Sequence, residues 1–344
     1  HGVIAANGYG GGYAGNDYAG GGGAGGSILL VAERVEGLGR IEANGGAGND
    51  RYNAKGGGGS GGRVAADVPA GVAVQVTAFG GAGYQIGAAG TVNVRASGLG
   101  IDDLRVDNAG TTSLVTTVVN GPYIFDSVYV GNGGILTIPS GQTVSLTGEL
   151  RAATGGLLRA DTTLSAGSVR VDYGGIVEHT AGVSAFRLNV TGDVTVGAGG
   201  QIRADGRGYA GSSGPGAGAA GARYYGAAGG SYGGRSGDSS GAYGGHSGSE
   251  MYGSALAPTQ MGSGGGNCGS AAGGRGGGRI RVIAGGRVTV DGTGSANGAN
   301  GGYSGNDYAA GGGAGGTVDI TGAEVVGSGT IRANGGAGSD RSNA

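Results

Sequence analysis

Gly45-Gly46-Ala47-Gly48-Asn49-Asp50-Arg51-Tyr52-Asn53 has the spacing of the calcium-binding nonapeptide, in which glycines turn the backbone and a carboxylate meets the ion. Gly335 to Asn343 repeats the glycines and Asp340 but has Ser342 at the large-residue position. Asn49 and Asp50, with Asn16 and Asp17, are therefore the candidate calcium ligands. Their isolation argues for the plainer role of Asx turns closing glycine runs, because the next nine residues carry no aspartate. Asp102-Asp103 is the only adjacent acidic pair, the kind of cluster that polysaccharide hydrolases use for acid–base work. Ile101 to Val106 reads more simply as a strand with one solvated face. His1, His179 and His246 stand alone, without a partner at metal or triad spacing, and are expected on the solvated surface. Cys268, the only cysteine, reads as an incidental small residue, with an inter-subunit cross-link as the sharper alternative. No enzyme is expected, and no cofactor beyond the calcium candidate.

The 16 tyrosines stand mostly among glycines, including Tyr9, Tyr13, Tyr18, Tyr52, Tyr224, Tyr225, Tyr232, Tyr243, Tyr252, Tyr303 and Tyr308. A tyrosine can lie flat over glycine backbone and still hydrogen-bond through its hydroxyl. Two roles follow: packing within the glycine segments, or contact with a neighbouring fibre or a surface glycan.

The elements that must position these residues follow from composition and repetition. Glycine supplies 95 of 344 residues, with no Gly-X-Y period and only 5 prolines, which excludes collagen. Net charge is −2 and charged residues make up 13%, so there is no basic stripe for nucleic acid. No apolar run approaches the roughly 20 residues of a membrane span, and no membrane insertion is expected. Residues 1–54 return as 291–344: at a fixed offset of 290, 32 of the 54 pairs are identical. A chain that opens on His1 and stops within a motif is expected to be a window on a longer tandem array.

Three textures alternate. Strand units such as Ser27-Ile28-Leu29-Leu30-Val31 and Arg279-Ile280-Arg281-Val282-Ile283 alternate apolar with polar residues, which puts one set of side chains on a buried face. The stretch 91–203 is richer in Val, Leu and Thr. Its double glycines, at Gly133-Gly134, Gly155-Gly156, Gly174-Gly175 and Gly199-Gly200, mark steps of about 20–25 residues, the length of one coil of a parallel β-helix. Glycine supplies the positive φ of a sharp corner. The third texture is glycine-rich: 7–26, 44–62, 204–278 and 297–316. These runs preserve Asn, Asp, Tyr and Arg between copies, so they are expected to be ordered, as extended threefold helices of the polyglycine II kind packed alongside the strands. Only dense backbone hydrogen bonding offsets the entropy of ordering glycine.

The expected architecture is all-β, a parallel β-helix or β-solenoid with glycine-rich excursions. It divides into 1–90 (strand units with glycine excursions), 91–203 (β-helix-like), 204–278 (glycine-rich insert) and 279–344 (the next repeat beginning). The Gly-Gly-x-Ile/Val strand starts, the Gly-x-Gly-x-Ile corners (Gly37 to Ile41, Gly327 to Ile331) and the long Gly/Ala/Asn runs resemble the glycine-rich repeats of large bacterial cell-surface proteins. The texture is similar to right-handed β-helix adhesins and haemagglutinin-like exoproteins. That resemblance implies secretion and adhesive or structural work outside the cell. The expected function is an extracellular filament, sheath or stalk whose partner is itself. The alternative is a surface adhesin or phage-type fibre that binds glycans through its glycine-rich loops.

Overall fold

The computed structural model describes residues 2–15, 17–36, 38–68, 74–96, 101–184, 186–222, 225–240, 247–305 and 308–339. Every regular element among them is a strand, and nearly all pairing is parallel. No helix of the described residues is long and apolar enough to cross a membrane. The chain forms two compact units: His1–Arg159 with Leu164–Val177 and Val190–Gly200, and Ala160–Thr163 with Glu178–Asn189 and Gln201–Ala344.

In the first unit, strands recur in register. Ile101–Asp107, Ser127–Gly131, Glu149–Ala152, Ser168–Val171 and Val194–Val196 pair in that order, all parallel. Their alternation aligns two inward columns, Leu104-Val128-Leu150-Val169-Val194 and Val106-Val130-Ala152-Val171-Val196, and every member is buried. A single strand leaves its apolar side chains without neighbours on either side, so parallel pairing in register is what buries them. Each step ends at a double glycine whose first member has positive φ: Gly133 (81°), Gly155 (68°), Gly174 (69°) and Gly199 (75°). A Cβ is strained there.

The N-terminal part of this unit has a longer step. Val3 opposes Arg40, and Arg40 opposes Gln75, at separations of 37 and 35 residues. Ser27–Val31, Arg63–Val68 and Thr91–Ala96 form the companion parallel sheet. Ile41, Ala43, Val64, Ala78 and Val92 make its core.

Thr91–Ala96 then pairs antiparallel with Ile101–Asp107, with Asn93 opposite Leu104. Cross-strand partners point to the same face. Leu104 therefore shares a face with Asn93, not with the buried Val92. The core changes sides of the sheet at this point, and no sequence pattern announced it.

The second unit repeats the plan. Gln201–Arg203, Thr293–Ser295 and Thr330–Arg332 pair in parallel, as do Arg279–Ala284 with Thr317–Thr321 and Arg287–Val290 with Glu324–Val326. Between Ser295 and Thr317 the chain leaves the strands for two glycine runs joined by the hairpin Tyr303–Ser304/Tyr308–Ala309. Residues 5 to 27 do the same around Tyr13–Ala14/Tyr18–Ala19.

Candidate interaction surface: the glycine rows and their asparagine rungs

The glycine runs are ordered by bonds to one another. In the first unit Gly8 and Gly11 donate to the carbonyls of Asn44 and Ala47 (2.8 and 2.7 Å), and Gly45 and Gly48 to Phe79 and Ala82 (2.8 and 2.7 Å). Gly22 and Gly25 donate to Gly57 and Ser60, then Gly58 and Gly61 to Gln85 and Ala88. These are two rows of parallel runs.

The rows cross-link antiparallel. Gly20, Gly23 and Gly26 donate to Gly12, Tyr9 and Ala6; Gly56, Gly59 and Gly62 donate to Asn49, Gly46 and Ala43. Every set advances by three residues. A β-strand would advance by two. An extended chain with three residues per turn has no internal hydrogen bonds and directs its amides to three sides. The run 43–49 is accordingly bonded to four others: 6–12, 20–26, 56–62 and 78–84.

This spacing selects glycine at particular positions. A Cβ at Gly45 would lie 2.0 Å from the Gly59 carbonyl oxygen, and one at Gly59 2.0 Å from that of Gly23. Where the direction is open, side chains appear. A Cβ at Gly10 would meet only the Ala47 oxygen at 3.6 Å, and its counterpart 290 residues on is Asn300.

Asparagine sets the register of the rows. Asn44 N donates to Asn7 Oδ1 and Phe79 N to Asn44 Oδ1, both at 2.8 Å. In the second unit Asn297 N donates to Asp205 Oδ1 (2.6 Å) and Asn334 N to Asn297 Oδ1 (2.9 Å). The rungs belong to the motif Ala-Asn-Gly, present at Ala6, Ala43, Ala296, Ala299 and Ala333, with Ala204-Asp205-Gly206 as a variant. That recurrence stands in the sequence at a spacing of 37 residues, inside the 290-residue period.

The same rows fill the second unit. Gly298 and Gly301 donate to Asn334 and Ala337, and Gly274 and Gly277 to Gly311 and Ala314. Part of the segment read as an insert joins them: Gly218 and Gly221 donate to Gly264 and Asn267, and Gly230 to Gly312. Tyr232 and Tyr252 anchor it, with ring centroids 5.0 Å apart. The Tyr232 hydroxyl meets Thr317 Oγ1 at 2.8 Å, and Tyr252 donates to the Met261 carbonyl. Burial pushes the Tyr252 phenol up to about 12, so it remains a donor.

The calcium candidates are distributed as follows. Asn16 lies outside the described residues. Asp17 accepts from Asn53 Nδ2 at 2.6 Å, Asn49 Nδ2 donates to the Gly11 carbonyl at 3.2 Å, and exposed Asp50 faces Lys55 Nζ at 3.7 Å. Among the described residues no three His, Cys, Asp or Glu side chains converge as a metal site. Asp103, of the acidic pair, is on an outward position and accepts from Ser127 Oγ.

Some tyrosines pack within the glycine segments and others are exposed. Tyr232, Tyr252 and Tyr308 are partly buried, and Tyr308 lies against Gly269, where a Cβ would sit 2.4 Å from its ring. Tyr9, Tyr13, Tyr18, Tyr52 and Tyr84 are exposed, all but Tyr9 at the loops that end the runs, and Arg51 stacks 3.5 Å over the Tyr13 ring. Tyr224 and Tyr243 lie outside the described residues, as do His1 and His246.

His179 departs from its reading as a solvated residue: it is fully buried. Its Nδ1 lies 2.8 Å from the Thr180 carbonyl, and its Nε2 accepts the Arg279 amide at 3.3 Å. An imidazole that donates at one nitrogen and accepts at the other is neutral. Burial holds its pKa below the usual histidine value, and the Arg207 charge adds to that. Beside it, buried Glu178 is paired with Arg203 and Arg207. A lone histidine gave no periodicity signal that would have placed it inside.

Cys268 is likewise fully buried, against Ala271 and Ala310, with Sγ 3.3 Å from the Ala222 carbonyl and 3.4 Å from that of Tyr225. In that position it cannot reach another chain, which corrects the cross-link alternative.

The glycine runs are held to one another by ranks of backbone amides and carbonyls at a three-residue repeat, with asparagine rungs. No family model matches this chain, and neither does any curated protein or solved structure.

Proposed function

We propose that the chain is a structural repeat that winds as a parallel β-solenoid flanked by polyglycine II-like layers and builds an extracellular filament, sheath or stalk from itself. The observation that carries this reading is repetition of register. The same strand, rung and glycine-run bonds recur from one coil to the next, in both units, and residues 291–344 restate 1–54. A stack whose every layer offers the next layer its own bonding pattern has no internal reason to stop, and repeat architectures gain stability with each added neighbour. Most buried side chains are small or aliphatic and net charge is close to zero, so charge opposes lateral association only weakly.

Imaging native material by electron cryo-microscopy tests the reading. Fibres with one unit per 290 residues and resolved glycine rows are expected. Discrete particles with featureless glycine regions would end it.

A second reading has its own observation. Tyr13, Tyr18, Tyr52 and Tyr84 are exposed at the loop ends, beside Asp17, Arg51 and Asn53. Aromatic rings flanked by planar polar groups suit the faces and hydroxyls of sugars. A surface adhesin or phage-type fibre that binds glycans there would retain a defined oligosaccharide on an array and lose it on Tyr52→Ala.

A further inference from the structure

Many arginines of this chain stand beside a carboxylate: Arg40 has Glu42, Arg151 and Arg170 share Asp172, Arg203 and Arg207 share Glu178, and Arg287 has Glu324. Arg187 and Arg279 have no such partner among the described residues. Both lie on one sheet, in which Arg187–Val190, Arg279–Ala284 and Thr317–Thr321 are neighbours in that order. Leu188, Ile280 and Val282 point into the core, so Arg187, Arg279 and Arg281 point outward. Adjacent strands lie about 4.8 Å apart, and alternate residues of one strand about 7 Å apart, which crowds the three guanidiniums.

The crowding is not balanced. Asp319, opposite Arg281, brings Oδ2 within 3.1 Å of Arg281 Nε, close but not aligned as a hydrogen bond. Opposite Arg279 stands Thr317, which is uncharged. Three cations and one carboxylate leave two positive charges uncompensated. Arg279 is part-buried, its Nε and Nη2 enclosed with no acceptor, and Asn189 Oδ1 on the same face is enclosed with no donor. Burial pushes the Arg279 guanidinium below its ordinary value, and the Arg281 and Arg187 charges push it the same way. A part-buried cation without a counter-charge is unfavourable, and an anion on its open side offsets that.

The surroundings indicate what carries the anion. The Tyr232 hydroxyl meets Thr317 Oγ1 at 2.8 Å and accepts from Gln260 N at 3.1 Å, while Thr317 Oγ1 donates to the Gln260 carbonyl at 2.7 Å. A part-buried tyrosine is thereby pinned at the Arg279 end of the patch. Guanidinium forks match a carboxylate, and an aromatic ring suits the face of a sugar. We propose that Arg187, Arg279 and Arg281 bind the carboxylates of an acidic polysaccharide, a polyuronate, with Tyr232 against the sugar. The site stands on this one chain. Its strength rests on the filament reading, because a half-exposed ion pair is weak alone and a site carried by each 290-residue unit multiplies weak contacts along one polymer.

The test titrates the full chain with trigalacturonate, polygalacturonate and neutral dextran by isothermal calorimetry. Trigalacturonate should bind and weaken with salt, polygalacturonate should bind native fibres more tightly than single chains, and dextran should not bind. Arg187→Met and Arg279→Met, which keep the apolar stem, should each weaken trigalacturonate about tenfold. Arg235→Met, at an exposed ion pair with Asp238, should not. Thermal melts separate binding from folding. Without ligand, Arg279→Met removes a repelled charge and should melt no lower than wild type, and trigalacturonate should raise the wild-type midpoint but not that of the variant. Four results would overturn the inference: unchanged affinity in both variants, equal binding of dextran, inorganic sulfate binding as tightly as trigalacturonate, or a ligand-free Arg279→Met that melts several degrees lower. If single chains bind trigalacturonate while native material forms no fibres, the filament reading is lost and the site stands.

Discussion

Gly57 and Gly59 lie two residues apart in one glycine run, and alanine should have opposite effects at them. At Gly57 an added Cβ meets only the Gln85 carbonyl oxygen, at 3.7 Å, which is ordinary contact. Its effect is then mainly on the unfolded chain, which loses freedom, for a gain of about 0.4–1 kcal/mol. At Gly59 the Cβ would lie 2.0 Å from the Gly23 oxygen and 2.4 Å from its carbonyl carbon. Both are backbone atoms, so the neighbouring run must retreat by roughly 1.4 Å to reach normal contact. That run is held by Gly23 N to Tyr9 and by Gly46 N to Gly23, while Gly59 itself donates to Gly46 and accepts from Gly81. Weakening two of these bonds costs about 2 kcal/mol, and overpacking adds about 1–3 kcal/mol. The two variants should differ by roughly 4 kcal/mol. On the scale for large domains that is about 8 °C in melting midpoint. Thermal melts of the two purified variants, followed by circular dichroism, measure it. Midpoints within about 2 °C of each other would refute the ordered rows, because a flexible glycine linker cannot distinguish the two sites.

Further outcomes can be checked on the same material. Asn44→Ala removes the acceptor for Phe79 N and should destabilise by about 1–2 kcal/mol, while Asn44→Asp should cost less, since Asp205 already serves as a rung; equal losses would remove the rung role. Because the folded chain holds His179 below its ordinary value, its contribution is fully present above the unfolded pKa of about 6.5 and declines as pH falls below it towards the lower folded value. Denaturation curves should therefore show a drop over that interval that His179→Gln reduces, and an unchanged drop would exonerate the histidine. Chelation with EGTA is expected to leave the melting midpoint unchanged, since Asp17 and Asp50 face Asn53 and Lys55; a clear fall would restore calcium at that turn. Buried Cys268 should resist thiol reagents until unfolding, and prompt labelling of the native chain would contradict its placement.

The all-β class, the positions of the strand corners and the identity of the segments that pair backbone to backbone are legible in the sequence. Those features are local. Alternation of apolar residues marks a strand's buried face, and a double glycine marks a bend that tolerates no Cβ, as at Gly133 and Gly155. Tertiary structure decided which runs lie beside which. Every glycine run has nearly the same composition, so nothing local tells Gly45 that its donor must reach Phe79 while Gly46 reaches Gly23. It also decided that the core changes faces between Thr91–Ala96 and Ile101–Asp107, because alternation shows that one face is buried but not which side of the sheet it occupies. The burial of His179 and Cys268 belongs to the same category. An isolated polar or small residue has no period, and only the runs that fold back over it, at Arg279 and at Ala310, enclose it.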